Sequence, residues 1–249
     1  QMEIDFPVEI TTFADVPGYT GLGSSSSFTV GLLHVLFALK GQMVTKNELA
    51  VLAAKIEVDI LERPIGSQDH FAASYGGMNI FTFHKNGTVS VEPVFCKTNV
   101  SDTLSKNLML FYTGIQRNAS DILDIQSAKT VEKMGVLKEM KNLVMPLGQI
   151  LSEGSSINKV GDILHRGWQL KKSITSEISS EKIDEYYNLA LNAGALGGKL
   201  LGAGGGGFIM LYVEPHNQKA VGNALSPLFE LGFKFDTGGT RITYYDQNA

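Results

Sequence analysis

Apolar residues recur with helical spacing over residues 28–39, and the run stops before Gly41. A second helical pattern places Leu49, Leu52, Ala53, Ile56 and Ile60 on one face. Thr45 and Glu48 open that segment as a capping box, and Pro64 and Gly66 close it, which predicts a helix over about residues 46–62. Residues 6–13 alternate as a strand does. Asp15 to Gly21 is turn chemistry, and residues 65–77 read as a loop, a short helix and a glycine stop. Residues 78–83 and 88–95 are rich in β-formers and flank Asn86-Gly87, a strong hairpin signal. Residues 108–113 read as a buried strand ending at Gly114.

After Gln116 the periodicity becomes helical through residue 193. Val136, Met140, Leu143, Val144, Leu147 and Leu151 suit one amphipathic helix, Ile163, Leu164, Trp168 and Leu170 a second, and residues 183–191 a third. Residues 200–213 return to glycine and then strand, 215–231 read as helix, and 234–236 with 241–245 read as two closing strands. The order predicts an α+β chain of two lobes, residues 1–115 and 116–249, whose end resembles a split βαβ unit.

With 249 residues, 43% of them hydrophobic, the chain can bury one large core or two adjoining ones. A net charge of −4 with scattered basic residues gives no reason to expect nucleic acid or an anionic membrane as partner. No apolar run approaches the roughly 18 residues of a membrane span. Cys96 is the single cysteine, so an internal disulfide is excluded. The N-terminus lacks a basic region and apolar core, and a cytoplasmic location is expected. The chain opens on Gln1, almost inside a strand pattern, which suggests numbering that starts part-way into a longer protein.

Candidate chemistry begins at Gly21-Leu22-Gly23-Ser24-Ser25-Ser26-Ser27, directly before the first helical run. Glycines permit a sharp turn and close approach of backbone to ligand, and the hydroxyls fall where N-cap residues belong. Such a loop at a helix N-terminus is an anion site, and phosphate is the usual anion. A Walker A loop fails at Gly198-Lys199, where Ala193 and Leu200 replace the required Gly and hydroxyl. The dinucleotide fingerprint fails because Ser26 stands at its third glycine. His34, His70, His84, His165 and His216 show no metal-ligand spacing and are expected to be ordinary surface or core residues. No Gly-x-Ser-x-Gly elbow is present. A second cluster, Gly202-Ala203-Gly204-Gly205-Gly206-Gly207 before an apolar strand, reads either as a bulge or tight turn or as a second ligand-facing loop, and the number of glycines favours the loop.

Pro17-Gly18-x-x-Gly21-Leu22-Gly23-Ser24-Ser25-Ser26-Ser27 resembles the phosphate-binding motif of the GHMP kinases. Lys199-Leu200-x-Gly202-Ala203-Gly204-Gly205-Gly206-Gly207 is similar to that family's C-terminal glycine motif, and Gly66-Ser67-Gln68-Asp69 falls where it carries a catalytic aspartate. The four-serine form, with residues 111–115 and 197–200, resembles most closely the D-glycero-D-manno-heptose 7-phosphate kinase branch. The resemblance implies a ribosomal-protein-S5-like N-terminal lobe and a ferredoxin-like C-terminal lobe with added helices. It implies ATP and Mg²⁺ as cofactors and a phosphorylated sugar as partner. Gly21, Leu22, Gly23, Ser24, Ser25, Ser26 and Ser27 would hold the ATP phosphates, with Ser25 as a metal ligand. Glu57 is the expected second metal ligand, with Asp59 and Glu62 as alternatives. Asp69 would face the acceptor hydroxyl, and Gly202, Ala203, Gly204, Gly205 and Gly206 would close over the sugar. The expected reaction is phosphorylation of the anomeric hydroxyl of the heptose 7-phosphate to the 1,7-bisphosphate, for nucleotide-activated heptose. Alternatives are a fucose- or hexosamine-type kinase and a non-catalytic sugar- or nucleotide-binding protein. Nothing in residues 1–14 matches the family's earlier sugar-binding motif, so a longer native chain is expected.

Overall fold

Three helices near the start of the chain share one small core. A computed structural model describes residues 4–18, 20–116 and 119–246. Helix α1 (Ser24–Leu39), α2 (Lys46–Ala54) and α3 (Gln68–Tyr75) bury Val30, Leu33, Leu49 and Ala53 against one another. Thr45 caps α2 through Glu48 N while Glu48 Oε2 accepts from Thr45 N, so the predicted capping box is present. The helix does not continue unchanged to residue 62. It passes into a π-helical turn, Lys55–Ile60, and Glu62 then adopts a left-handed φ of 51°.

Strands β1 (Asn79–Phe83) and β2 (Val89–Pro93) form the hairpin that Asn86-Gly87 predicts, in antiparallel register. Helix α4 (Thr98–Asn107), which the pattern did not reveal, leads into β3 (Leu108–Tyr112). Helices α5 (Ala119–Ala128), α6 (Met134–Asn142), α7 (Val144–Glu153), α8 (Lys159–Lys172) and α9 (Glu181–Asn192) follow. The single helix expected over 136–151 is two, broken at Leu143. Pro146, lacking an N–H, fits the first turn of a new helix and not the interior of a continuous one.

Strands β4 (Ala195–Leu200) and β5 (Phe208–Val213), helix α10 (Pro215–Ala224) and β6 (Phe229–Glu230) complete the fold. The second sheet has the order β4-β5-β3-β6 with every neighbour antiparallel. Strands β5 and β6 therefore run parallel with β3 between them, the split βαβ unit the sequence suggests. Sheet pairing carries β3 across the boundary expected near residue 115. The main core lies between this sheet and α8 and α9, around Trp168, Tyr187, Ile183, Phe111, Ile209 and Leu211.

Three expected strands are not formed. Residues 6–13 alternate, but no strand among the described residues lies beside them, and Phe6, Val8, Ile10 and Phe13 are exposed. Residues 234–236 and 241–245 are not strands either; the segment joins α3 and the turn after it instead, with Gly77 N donating to Asp236 O at 2.7 Å and Thr240 N to Ala73 O at 3.0 Å. The helix expected over 215–231 stops at Ala224, before Pro227, and β6 takes up the remainder.

Candidate active site

The serine loop enters α1 through Gly23, which sits at the N-cap with φ 71° and ψ 25°. A left-handed cap of this kind is natural only for glycine, and it carries no capping side chain. The serines therefore occupy the first turn of the helix and not the cap position expected for them. Ser27 N closes the first helical bond onto Gly23 O at 2.9 Å. The backbone N–H groups of Ser24, Ser25 and Ser26 point out of the helix end, where the dipole is positive.

Beneath that turn lies Glu57, 1% exposed although it is a carboxylate. The π-helical turn that carries it shifts the face the helix presents, a local device frequent at functional sites. Four side chains converge on it. Ser25 Oγ donates to Glu57 Oε1, Ser26 Oγ to Oε2 at 3.4 Å, and Arg63 Nη1 to Oε1 at 3.0 Å. His70 Nε2 lies 2.8 Å from Oε2 and is itself fully buried. Arg63 Nη1 also donates to Ser25 Oγ at 2.6 Å, tying the serine loop to the chain after the π turn. Of the three acidic candidates, Glu57 meets Ser25, whereas Asp59 and Glu62 are exposed. Ser25 and Glu57 thus present two hard oxygen donors in contact. That set suits Mg²⁺, which takes few protein ligands and completes its shell with water and phosphate oxygen. Among the described residues no group of three or more His, Cys, Asp or Glu gathers into a self-sufficient metal site.

Asp69 lies in the first turn of α3, favourably placed in the helix dipole, with Ser67 as the N-cap. Its exposed carboxylate faces the serine loop: a Cβ built on Gly23 would stand 3.6 Å from Asp69 Oδ2. The second glycine cluster closes the other side. A Cβ on Gly202 would lie 2.6 Å from Gly21 Cα, so the two glycine loops touch backbone to backbone. The remaining glycines of the cluster have protein neighbours. A Cβ on Gly204 would meet Ile178, and ones on Gly206 and Gly207 would meet Ile115 and Thr20. Gly205 N donates to Ile178 O at 2.9 Å and Gly207 N to Ile115 O at 2.8 Å. Gly205 and Gly206 are buried, and Gly202 is the exposed member, so close backbone packing accounts for much of the glycine run. Gln126 Nε2 donates to Ala203 O at 2.9 Å and borders a cleft of about 410 Å³ shared with Arg63, Pro64 and Gly66.

Four functional candidates escaped sequence reasoning. His70 and Arg63 are invisible as a pair because they meet only through Glu57. Lys171, at the end of α8, donates to Gly202 O, and Lys199 stands on β4 before the glycine cluster. Both lysines lie within electrostatic reach of Asp69. Burial, with Lys199 adding repulsion, pushes the Lys171 ammonium down to about 8, against a weaker pull from Asp69. Burial also lowers Lys199, again against the pull of Asp69.

The profile for the GHMP kinases N terminal domain matches residues 1–77, and that for the GHMP kinases C terminal matches residues 147–230. The D-glycero-alpha-D-manno-heptose 7-phosphate kinase of Campylobacter jejuni is 32% identical over 206 residues, covering 82% of this chain and 60% of the relative. The galactokinase of Pyrococcus furiosus is 30% identical over 240 residues, covering 85% and 66%. This chain thus spans about two thirds or less of the length of those relatives. Among solved structures, a D-glycero-D-manno-heptose 1-phosphate kinase from Bacteroides thetaiotaomicron superimposes with a TM-score of 0.72 at 29% identity, over 94% of this chain and 67% of that one. No helix among the described residues is long and apolar enough to cross a membrane.

Proposed function

The chain belongs to the GHMP kinases, and from that membership we propose that it transfers the γ-phosphoryl group of ATP to the anomeric hydroxyl of a heptose 7-phosphate, giving the 1,7-bisphosphate. The observation that carries the reading is the approach of the Asp69 carboxylate to Gly23, two residues from Gly21, where the serine loop touches the second glycine loop. Likeness to the heptose 7-phosphate kinase of C. jejuni supports this acceptor, and likeness to the heptose 1-phosphate kinase of B. thetaiotaomicron supports a heptose phosphate more broadly.

Residues 21–27 bind the triphosphate through the free N–H groups of Ser24 to Ser26 and the serine hydroxyls. Ser25 and Glu57 would hold Mg²⁺, which when bound neutralises charge on the phosphates. Asp69 orients the acceptor hydroxyl and takes its proton. The acceptor oxygen bonds to the γ-phosphorus as the bond from that phosphorus to the β,γ-bridging oxygen breaks, and ADP leaves. A loose transition state of this type depends on positioning and charge more than on a strong base.

Phosphoryl transfer from labelled ATP, measured on the full-length protein, tests the assignment. Asp69→Asn is expected to lower the rate by about 10²–10⁴-fold, the usual worth of a positioned acid–base group. Activity near the unmodified level would remove Asp69 from its role. An unphosphorylated sugar is the second acceptor class, supported by the 30% identity to a galactokinase. Sugars with and without a terminal phosphate, assayed side by side, separate the two. ATP binding without turnover on any sugar would replace both with a non-catalytic reading.

A further inference from the structure

Two lysines from separate elements of the C-terminal half converge on the carboxylate that the proposed reaction uses. Lys171 ends α8 and Lys199 lies within β4; both feel the field of Asp69, and Lys171 also feels that of Lys199. Neither has an ion-pair partner within 4 Å among the described residues, whereas the neighbouring Lys172 is paired with Asp184 at 2.8 Å. Lys171 is held over the cluster by its bond to Gly202 O, and Gly202 is the residue whose backbone touches Gly21 of the serine loop. Lys171 therefore sits at the seam of the two glycine loops, and Lys199 stands on β4 three residues before Gly202, within electrostatic reach of the same carboxylate.

Charge makes this arrangement informative. Two half-buried ammonium groups face one exposed carboxylate, which leaves an excess positive charge in a partly desolvated place. Isolated charges are costly to desolvate, and neighbouring like charges raise that cost. A core that served packing alone would place an apolar residue at either position. An anion seated between the two ammonium groups offsets that excess.

We propose that Lys171 and Lys199 form a seat for a phosphoryl group beside Asp69, the group being either the γ-phosphoryl of ATP or the phosphate ester of the acceptor. This inference rests on the kinase reading for its substrates, but the seat is measurable without turnover. Lysine is a compact point charge with rotatable donors, suited to following a phosphoryl group that changes position. The Lys171 ammonium is mostly charged at neutral pH and loses its charge as pH rises through about 8, with Lys199 from β4 and Asp69 from α3 the charged groups facing it.

Four proteins decide it: unmodified chain, K171M, K199M and K171R, each in the full-length context. Charge-assisted bonds to an anion contribute about 1.5–3 kcal/mol, so each methionine variant is expected to lose about 10–100-fold. If the seat takes the γ-phosphoryl, the loss falls on kcat and on binding of a non-hydrolysable ATP analogue, while ADP binds as before. If it takes the acceptor's ester, the loss falls on KM for the sugar phosphate, and turnover of the unphosphorylated sugar is spared. Either pattern supports the seat. The alkaline limb of kcat/KM near pH 8 should move upward in K171R, which keeps its charge. Calorimetric titration with inorganic pyrophosphate provides the arm that needs no sugar: unmodified chain binds it, and K171M and K199M bind at least about tenfold more weakly. Equal pyrophosphate binding by all four proteins overturns the seat even if the kinase is active. No turnover with any sugar would defeat the kinase reading, while the pyrophosphate arm still judges the seat. Melting temperatures keep the test clean, because replacing a desolvated charge with methionine is expected to leave the fold as stable as before or more so.

Discussion

Glu57 is a carboxylate placed where a carboxylate is expensive, and its four neighbours explain how it is kept there. Ser25 and the Arg63 guanidinium satisfy Oε1, and Ser26 and His70 hold Oε2. His70 has no exposure of its own, and among the described residues its Nδ1 has no partner. Its bond to Glu57 is therefore the contact that fixes the ring and, in return, aims Oε1 at Ser25. Partners that orient a metal ligand commonly affect metal affinity by about 10–100-fold. Replacing His70 with Phe should raise the Mg²⁺ concentration needed for half-maximal transfer by that order, with kcat at saturating Mg²⁺ much less affected. Stability should fall by about 1–3 kcal/mol as Glu57 Oε2 loses a buried partner. His70→Gln, which keeps a donor, should recover part of both. An unchanged Mg²⁺ requirement in H70F, read from rate against metal concentration, would show that His70 serves packing alone.

At the scale of elements, the junction of the two glycine loops is the most constrained feature. Gly202 has φ +70°, and a Cβ there would come within 2.6 Å of Gly21 Cα, itself at φ +79°. Backbone cannot step aside as the end of a long side chain can. Gly202→Ala should therefore lose about 1–3 kcal/mol in denaturant unfolding and most of its phosphoryl transfer, since the loops separate. Gly41→Ala is the comparison: its φ is +64° but none of the described residues lies within 4 Å, so only the conformational preference, about 1 kcal/mol, is lost and transfer is kept. Equal behaviour of the two variants would mean that the loop contact has no structural weight. The same contrast explains what the sequence reveals. Elements specified by neighbouring residues were legible: the Thr45–Glu48 box, the Asn86-Gly87 hairpin and the serine turn. Residues 6–13 carry strand spacing without a partner beside them, and a ladder needs two sides. The π turn at Lys55–Ile60, and the meeting of Arg63, His70, Lys171 and Lys199 with the motif residues, depend on tertiary packing that periodicity does not encode.

For the whole molecule, the residues after β6 do what a pair of closing strands would not. Leu231 N still bonds to Leu110 O in the sheet at 2.8 Å, and the chain then crosses to the N-terminal helices. Asp236 Oδ1 accepts from Gly238 N and Gly239 N, both at 2.7 Å, and those bonds hold its carboxyl below the usual carboxylate range. Lys46 Nζ reaches Gly238 O at 2.7 Å, and the Thr240 hydroxyl lies 3.0 Å from His34 Nδ1. This segment binds α1, α2 and α3 to the sheet, and α3 carries Asp69 in its first turn while the sheet carries Lys199. The geometry at Gly239 is tight: φ is +64°, and a Cβ would lie 2.6 Å from the backbone N of Gly76, also at φ +64°. Gly239→Val should then cost about 2–4 kcal/mol, through a strained backbone and a clash that neither side can relieve. Gly238→Ala should be nearly neutral, because its Cβ would press only on the movable end of Arg241 and reach ordinary contact with Asp236 Oδ1 at 3.7 Å. Hydrogen exchange gives the sharper readout. In G239V the amides of α1 and α3 should exchange faster while those of β4 and β5 keep their protection, and transfer should fall because Asp69 and Lys199 are no longer held in one frame. Uniform loss of protection across both halves would instead make the segment an ordinary part of one cooperative core, and the positioning of Asp69 would then rest on the glycine junction alone.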